Sequence, residues 1–418
     1  MGGIKGLIGW LWAGTAQRSL TLQSSEGWLM DSLGSTKTMS GISITPDKAM
    51  QLSAVSACVR LIAESIASLP LHVYRRVDDA RRERVSATPA SRLLHDEPNE
   101  MMTSFVFRET LSAHLLLWGN AYALIMRDNA GRPIELLPVH PSCVTVRKSA
   151  TLGLVYDLRM ADAGVVPRVS QADMLHIPGL SYDGILGMSP IRYAAQSIGL
   201  GLAAEQFGAA FFGNGSTPSG YITLPGKLTK EQAAQMRESW YATYGGVSNS
   251  NKTAVLFENG KFERISIPPD EAQFIETRKF QVADIARWYR VPPHMIGDLE
   301  RATFSNIEHQ ALEFVTTTLR PWLVRFEQEI NRKLFPSSTS GAPSDLYAEF
   351  KVDALLRGDI KSRGDYYIRG RQWGWLSAND IRALENLEPI TGGDIYLNPL
   401  NMASAAKDQP AQEQEPTP

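Results

Sequence analysis

Two segments of this chain each demand a long helix, and residues 215–269 separate them. The first opens at Ser189-Pro190, with serine as N-cap and proline at the first helical position, where its missing N–H costs nothing. No strong breaker follows until Asn214-Gly215, so the helix extends to about Phe212, roughly 23 residues and ~35 Å. The second starts after Pro268-Pro269, with Asp270 and Glu271 at its positive end. Val291-Pro292-Pro293 stops it, just after Arg287 and Arg290 at its negative end. Interior glycines weaken the first helix: Gly199, Gly201 and Gly208 stand among Ala203, Ala204, Ala209 and Ala210. Each costs up to about 1 kcal/mol relative to alanine, and close approach of a neighbouring helix is the natural compensation.

Residues 215–269 between the helices read as a small α/β unit. Tyr221 to Leu224 is a strand. Thr229 and Gln232 make a capping box for a helix that reaches Tyr244, where Gly245-Gly246 ends it. Asn259-Gly260 sits between 253–258 and 261–267, the strongest short hairpin signal in the chain. Ahead of the first long helix the pattern is α+β. Thr45-Pro46-Asp47 opens a helix whose apolar positions Val55, Cys58, Val59, Ile62, Ile66 and Leu69 recur at three- and four-residue steps, and Pro70 stops it. A strand follows at 71–74 and a polar hairpin or loop at 75–84. A second helix runs from about Ser104 to Trp118. Strands are expected at 121–127, 134–138, 144–147, 154–158 and 174–177, with turn chemistry at Asn129-Ala130-Gly131.

Beyond the second long helix, Gly297 to Phe304 is a linker. Ser305 and Glu308 then cap a helix whose apolar face runs from Ile307 to Leu334, about 30 residues and ~45 Å. Pro321 lies inside that helix and predicts a kink near Thr317 and Thr318, with Trp322 and Phe326 buried beneath it. A strand at 347–356 and helices at 359–369 and 378–386 complete the ordered pattern. Residues 1–45 read as an arm, and 402–418 hold almost nothing that packs and read as disordered.

Composition narrows the function. Lys+Arg 42 against Asp+Glu 44 leaves a net charge of -2, which argues against avid phosphate binding but not against letting DNA pass. Two cysteines, Cys58 and Cys143, exclude a disulfide scaffold and favour a reducing compartment. No apolar run approaches the roughly 20 residues that span a bilayer. Lys5 followed by the apolar run from Leu7 to Ala13 is a thin signal-peptide pattern, set against a docking arm. The myristoylation motif fails because position 6 is Gly6. Gly199-Leu200-Gly201-Leu202-Ala203-Ala204 matches a dinucleotide fingerprint by letter but falls in mid-helix, without the strand that fingerprint needs. P-loop and G-x-S-x-G motifs are absent. The seven histidines form no H-x-x-x-H pair, and two isolated cysteines make no zinc site. We therefore expect no catalytic, cofactor-binding or metal-binding residues. A hydrolase or nucleotide-binding enzyme with a site assembled across the fold, and a membrane-associated scaffold using the Trp10–Trp12 arm, are the rival readings.

Five sequence pieces, in order, carry a resemblance. They are Ala57-Cys58-Val59-Arg60 through Leu69-Pro70-Leu71; Gly119-Asn120-Ala121-Tyr122 with Leu137-Pro138; and Gly187-Met188-Ser189-Pro190 through Phe211-Phe212-Gly213-Asn214-Gly215. Then come Val291-Pro292-Pro293-His294-Met295-Ile296-Gly297-Asp298 with Ser305-Asn306-Ile307-Glu308, and Asn379-Asp380-Ile381-Arg382 to Glu385-Asn386-Leu387 with Gly392-Gly393-Asp394. From about Met50 to Asn398 the chain resembles the portal proteins of tailed bacteriophages, the head–tail connectors of long-tailed phages. The resemblance implies an α+β, multi-part subunit. Its parts would be an N-terminal arm (1–45), an α/β wing (46–189), a stem helix (190–214), a small α/β clip (215–269) and a second stem helix (270–296). A tunnel loop (297–304), a kinked tunnel helix (305–335), a return to the wing (336–356), a helical crown (357–400) and a disordered tail (401–418) would follow.

It further implies a ring of about twelve copies at one capsid vertex of the virion, assembled in the host bacterial cytoplasm. That ring would be the conduit for double-stranded DNA in packaging and ejection. Its partners would be the terminase large subunit, a head-tail adaptor and the major capsid or scaffold protein, with no membrane. On this reading Asp298, Glu300, Arg301, Thr303 and Phe304 would face the channel. Gly199, Gly201 and Gly208 would pack stem helices of adjacent subunits, and Asn259 and Gly260 would turn the clip hairpin.

Overall fold

The computed structural model describes residues 36–77, 82–149, 153–159, 168–213, 220–223, 229–244, 261–264, 271–298, 312–336, 344–352, 360–385 and 387–397. Residues 1–35, Asn259, Gly260, Glu300, Arg301, Thr303, Phe304, the Ser305 capping box and the tail after 397 lie outside them. The chain divides into two units, Met1–Lys351 and Val352–Pro418. The class is the expected mixture of helices with small antiparallel sheets.

In the first unit the helix Ser53–Ser68 packs against Ser104–Trp118. The spacing anticipated the buried stripe, and Val55, Cys58, Val59, Ile62 and Ile66 are all buried. Burial pushes the Cys58 thiol up to about 12, so it is an inert core residue. The expected start at Thr45 proves to be a separate short helix, Pro46–Ala49, capped by Thr45 Oγ1 accepting from the Lys48 N–H at 3.2 Å. A turn at 50–52 divides the two. Pro89–His95 is a helix that the pattern did not announce, although Thr88-Pro89 is the same start signal as Thr45-Pro46.

Arg108 lies buried among these helices. Its guanidinium donates to the Leu94 carbonyl at 2.9 Å and the Ala67 carbonyl at 2.8 Å. Both carbonyls belong to last helical turns, where the partial charge is negative, so two helix ends share one buried cation. Burial lowers its pKa only to about 10, and it remains charged.

Three of the sheets among the described residues are three-stranded and antiparallel. Met174–Pro178, Asn120–Arg127 and Pro133–Val139 form one, with the central strand almost wholly buried. The hairpin between the last two turns at Gly131, whose φ is 77°, and Asp128 Oδ1 accepts the Ala130 and Arg132 N–H groups. Val144–Ser149, Gly153–Leu158 and the unanticipated short strand Arg168–Ser170 form the second. Leu346–Phe350, Leu71–Arg76 and Arg82–Arg84 form the third; of the two alternatives for the polar segment after 75, hairpin or loop, the antiparallel pairing of 74–76 with 82–84 is that of a hairpin.

The proline-containing helix departs from a simple kink. Phe314–Leu319 is a π turn that leads into the α-helix Arg320–Leu334. Pro321 supplies no N–H to the preceding turn, and the backbone accommodates this by widening at the predicted place. Phe326 is buried and meets Phe350 edge-on at 6.3 Å. Trp322 corrects the expectation: it is only half-buried, with the Arg325 guanidinium 6.0 Å from its ring centroid. One turn before the buried Phe326, it sits at the margin of the apolar stripe.

The second unit holds the helices Ile360–Gln372 and Ala378–Leu384. Ser377 and Asp380 cap the latter reciprocally. Asn379 binds the Ile390 carbonyl at 3.0 Å and the Asp394 carboxylate at 2.9 Å, and accepts from the Ile390 N–H at 2.8 Å. Any Cβ at Gly393 would overlap the Asn379 side chain, which explains glycine there.

Candidate functional site

The two long helices are present as Ala195–Gly213 and Glu271–Tyr289 and pack on each other. A one-turn helix, Pro190–Tyr193, precedes the first, with Ser189 as N-cap: its Oγ accepts from the Arg192 N–H at 3.3 Å and donates to the Leu117 carbonyl at 2.8 Å. Ala194 interrupts the expected single helix. Arg278 pairs with Glu205 at 3.3 Å, and the Trp288 indole donates to Ser197 Oγ at 3.3 Å across the pair. Tyr289 is buried and donates to the Leu116 carbonyl at 3.3 Å, fixing the returning helix to the core.

The returning helix ends at Arg290, the one non-glycine residue with positive φ (56°) among those described. The Val291 N–H reaches back to the Ala286 carbonyl at 2.9 Å, the bond that closes a left-handed helix cap.

The glycines of the first helix face inward. A Cβ on Gly199 would lie 2.7 Å from Thr38 Cγ2, one on Gly201 would lie 2.9 Å from Leu52 Cδ2, and Gly208 is buried. Close approach does compensate for the first two, and the approaching groups in this chain are Thr38 and Leu52. Some outward positions are large and apolar instead. Leu200 and Phe207, seven residues apart, share one face of Ala195–Gly213 and are exposed, as is Tyr193 on the one-turn helix before it. On the returning helix Phe280 is 63% exposed and Trp288 47%. Pattern reasoning drew attention to the small residues and missed these large ones, because apolar residues ran around the whole first helix.

The start of the helix pair is built on three glycines and an asparagine. Gly119 has φ 77°, and a Cβ there would overlap the Met188 carbonyl. Gly179 and Gly187 crowd the Gly119 carbonyl in the same way. Asn120 donates to the Gly187 carbonyl at 2.8 Å and accepts from its N–H at 2.7 Å. It also accepts from His176 Nε2 at 3.1 Å, which leaves His176 Nδ1 to accept from the Tyr156 hydroxyl at 3.2 Å. Burial, helped by the Lys333 ammonium, lowers His176 to about 4, so it is neutral and structural. Two separate sequence pieces, Gly119-Asn120 and Gly187-Met188-Ser189-Pro190, thus form one joint.

The anticipated channel loop is described only at its start. Pro293–Ile296 is a 3-10 turn and Gly297, at φ 94°, ends it ahead of Asp298. The Thr229 and Gln232 box is present, at 3.0 and 3.3 Å. Between the two long helices, Gly220–Thr223 pairs antiparallel with Lys261–Arg264. Among the described residues no His, Cys, Asp or Glu group could hold a metal ion, and no helix is long and apolar enough to cross a membrane.

Comparison with known proteins gives this arrangement a family. The chain is 37% identical to a probable portal protein of Streptomyces phage phiC31, over 88% of this chain and 82% of that one. It is 35% identical to the portal protein of Enterobacteria phage HK97, over 90% and 85%. Its fold is similar to a chain in the neck of an empty gene transfer agent particle computed with C6 symmetry (TM-score 0.57, 23% identity, 82% of this chain and 94% of that one). A related chain comes from a native particle neck computed with C12 symmetry (TM-score 0.56, 23% identity, 82% and 93%). The crystal structure of an HK97-family portal protein from Corynebacterium diphtheriae gives a TM-score of 0.55 at 16% identity, covering 74% of this chain and 95% of that one. A family model described as phage portal protein matches residues 53–386, and with these relatives it establishes that the chain belongs to the phage portal protein family.

Proposed function

We propose that this chain is the subunit of a closed ring, of about twelve copies, at one vertex of a phage capsid. The observation that carries the reading is the helix pair: two long helices, joined through 215–269, turn Leu200, Phe280 and Trp288 to solvent in the isolated chain. An exposed apolar surface of this kind suits a neighbouring copy, and a repeated heterologous contact closes a ring without leaving an edge. The ring reading also fits family membership.

Ala195–Gly213 and Glu271–Tyr289 are then the stem helices, the segment between them the clip, and the unit around the two short C-terminal helices the crown. The clip docks the terminase large subunit and later a head-tail adaptor, while the α/β body contacts the major capsid or scaffold protein. Double-stranded DNA passes through the centre in packaging and ejection. The net charge of -2 suits that passage, since each neutralised phosphate would add drag. The loop from Asp298 through Glu300, Arg301, Thr303 and Phe304 forms the rim of the channel, and opposite charges at Glu300 and Arg301 keep it from gripping phosphate. Assembly of this kind takes place in the host cytoplasm.

Negative-stain electron microscopy of the purified chain tests the reading. Rings with a central hole are expected, and a field of single subunits at micromolar concentration would contradict it.

A further inference from the structure

We infer that the loop 179–188 is a preformed knob that seats on the Glu271–Tyr289 helix of a second copy of this chain. The inference rests on the ring reading and names two faces such a ring needs. Three large apolar side chains stand out from this one loop: Tyr182 is 85% exposed, Leu180 65% and Leu186 43%. Single exposed apolar residues are ordinary, but three within seven positions are not.

The loop is also rigidly built. Asp183 Oδ1 accepts the Ile185 and Leu186 N–H groups, each at 2.8 Å, and the Ser181 hydroxyl at 2.8 Å. These bonds hold the Asp183 carboxyl below its ordinary range. Ser181 Oγ accepts the Gly184 N–H at 3.0 Å, and Ser181 and Gly187 bridge the base of the loop. Asn120 grips Gly187 on both its N–H and its carbonyl. Arg325 donates to the Pro178 and Gly179 carbonyls at 3.0 and 2.9 Å. Such a frame pays the ordering cost before any contact is made, and a rigid tyrosine between two leucines is well suited to anchor a contact.

The occupant follows from symmetry and continuity. Related chains stand in necks computed with C6 and C12 symmetry. In a cyclic ring each copy must present two different patches, one for each neighbour. The loop leads directly into Ser189 and the one-turn helix that exposes Tyr193, so Tyr193 extends the first patch. The returning helix supplies the second through Phe280, which is 63% exposed.

Two measurements on the full chain test this. With p-benzoylphenylalanine in place of Tyr182, irradiation of assembled rings should give covalent subunit ladders, the adducts mapping to 271–289 of another copy. The triple variant Leu180→Ala, Tyr182→Ala, Leu186→Ala should weaken subunit association at least tenfold while the unfolding midpoint of the unassembled chain stays unchanged, since all three side chains are exposed. Intact rings in the triple variant, or adducts absent or mapping elsewhere, would overturn the knob and leave the ring reading standing. A wild-type chain that stays monomeric would overturn both.

Discussion

Thr318 Oγ1 donates to the Arg290 carbonyl at 2.5 Å, joining the π turn before the last helix of the first unit to the strained cap of the returning long helix. Both partners are unusual in their own elements. Thr318 is buried within a widened turn, and Arg290 holds a left-handed conformation that favours glycine. The bond fixes the two ends between which the proposed channel loop is strung.

Thr318→Val keeps the shape and removes the donor, leaving the Arg290 carbonyl unpaired. It should destabilise the chain by about 1–3 kcal/mol in urea unfolding. Arg290→Gly should act in the opposite direction, relieving a backbone penalty of about 1 kcal/mol. A lower unfolding midpoint for Arg290→Gly would show that the arginine side chain matters more than its backbone strain.

Gly119→Ala combines a positive φ with overlap onto the Met188 backbone, which no side-chain rotation relieves. A loss of about 3 kcal/mol or more is expected, enough to reduce soluble yield. Gly131→Ala has a similar φ but open space around it, and should cost only about 1 kcal/mol. Equal effects in thermal melts would place the whole cost in φ and remove the packing argument at Gly119.

Stability should fall on mild acidification. Burial, helped by the Lys333 ammonium, keeps His176 neutral in the folded chain down to about pH 4, whereas the unfolded imidazole protonates near 6.5. Between those values the unfolded chain binds more protons, so this contribution is complete above about pH 6.5 and is lost toward pH 4, up to about 3 kcal/mol. His114, lowered to about 3 by burial, adds in the same direction. Urea midpoints measured from pH 7 to 4.5 should drop, and His176→Gln should flatten the slope. A slope identical in the variant would remove His176 from the account.

How far the sequence foretold this structure depended on the kind of signal. Local chemistry read well. Ser189-Pro190, the Thr229 box, the Ser377 start and the Pro321 irregularity all stand where caps and breakers put them. Long-range assembly did not. That Gly119 and Gly187 touch, or that Asn120 satisfies three groups at once, is invisible in spacing, because Asn120 lies 67 positions from Gly187 and 56 from His176. The glycines of the first long helix illustrate the limit. Their cost was predictable, but whether Thr38, Leu52 or another subunit answers it is a property of the fold. Trp322 failed for a related reason: an apolar stripe has margins, and sequence alone does not say which residue occupies one.

The proposed channel loop is tested by charge. Glu300→Lys should make the rim grip phosphate, slowing packaging at low salt and recovering at high salt, where screening weakens the contact. Packaging rates that match wild type at every ionic strength, in intact rings, would remove the loop from the channel.

Solution mass tests the central claim most directly. A 46.1 kDa chain that builds the proposed ring should give, by mass photometry, a dominant particle near twelve times that mass, with few intermediates between it and the monomer. A particle that remains at the subunit mass across the accessible concentration range would contradict the account.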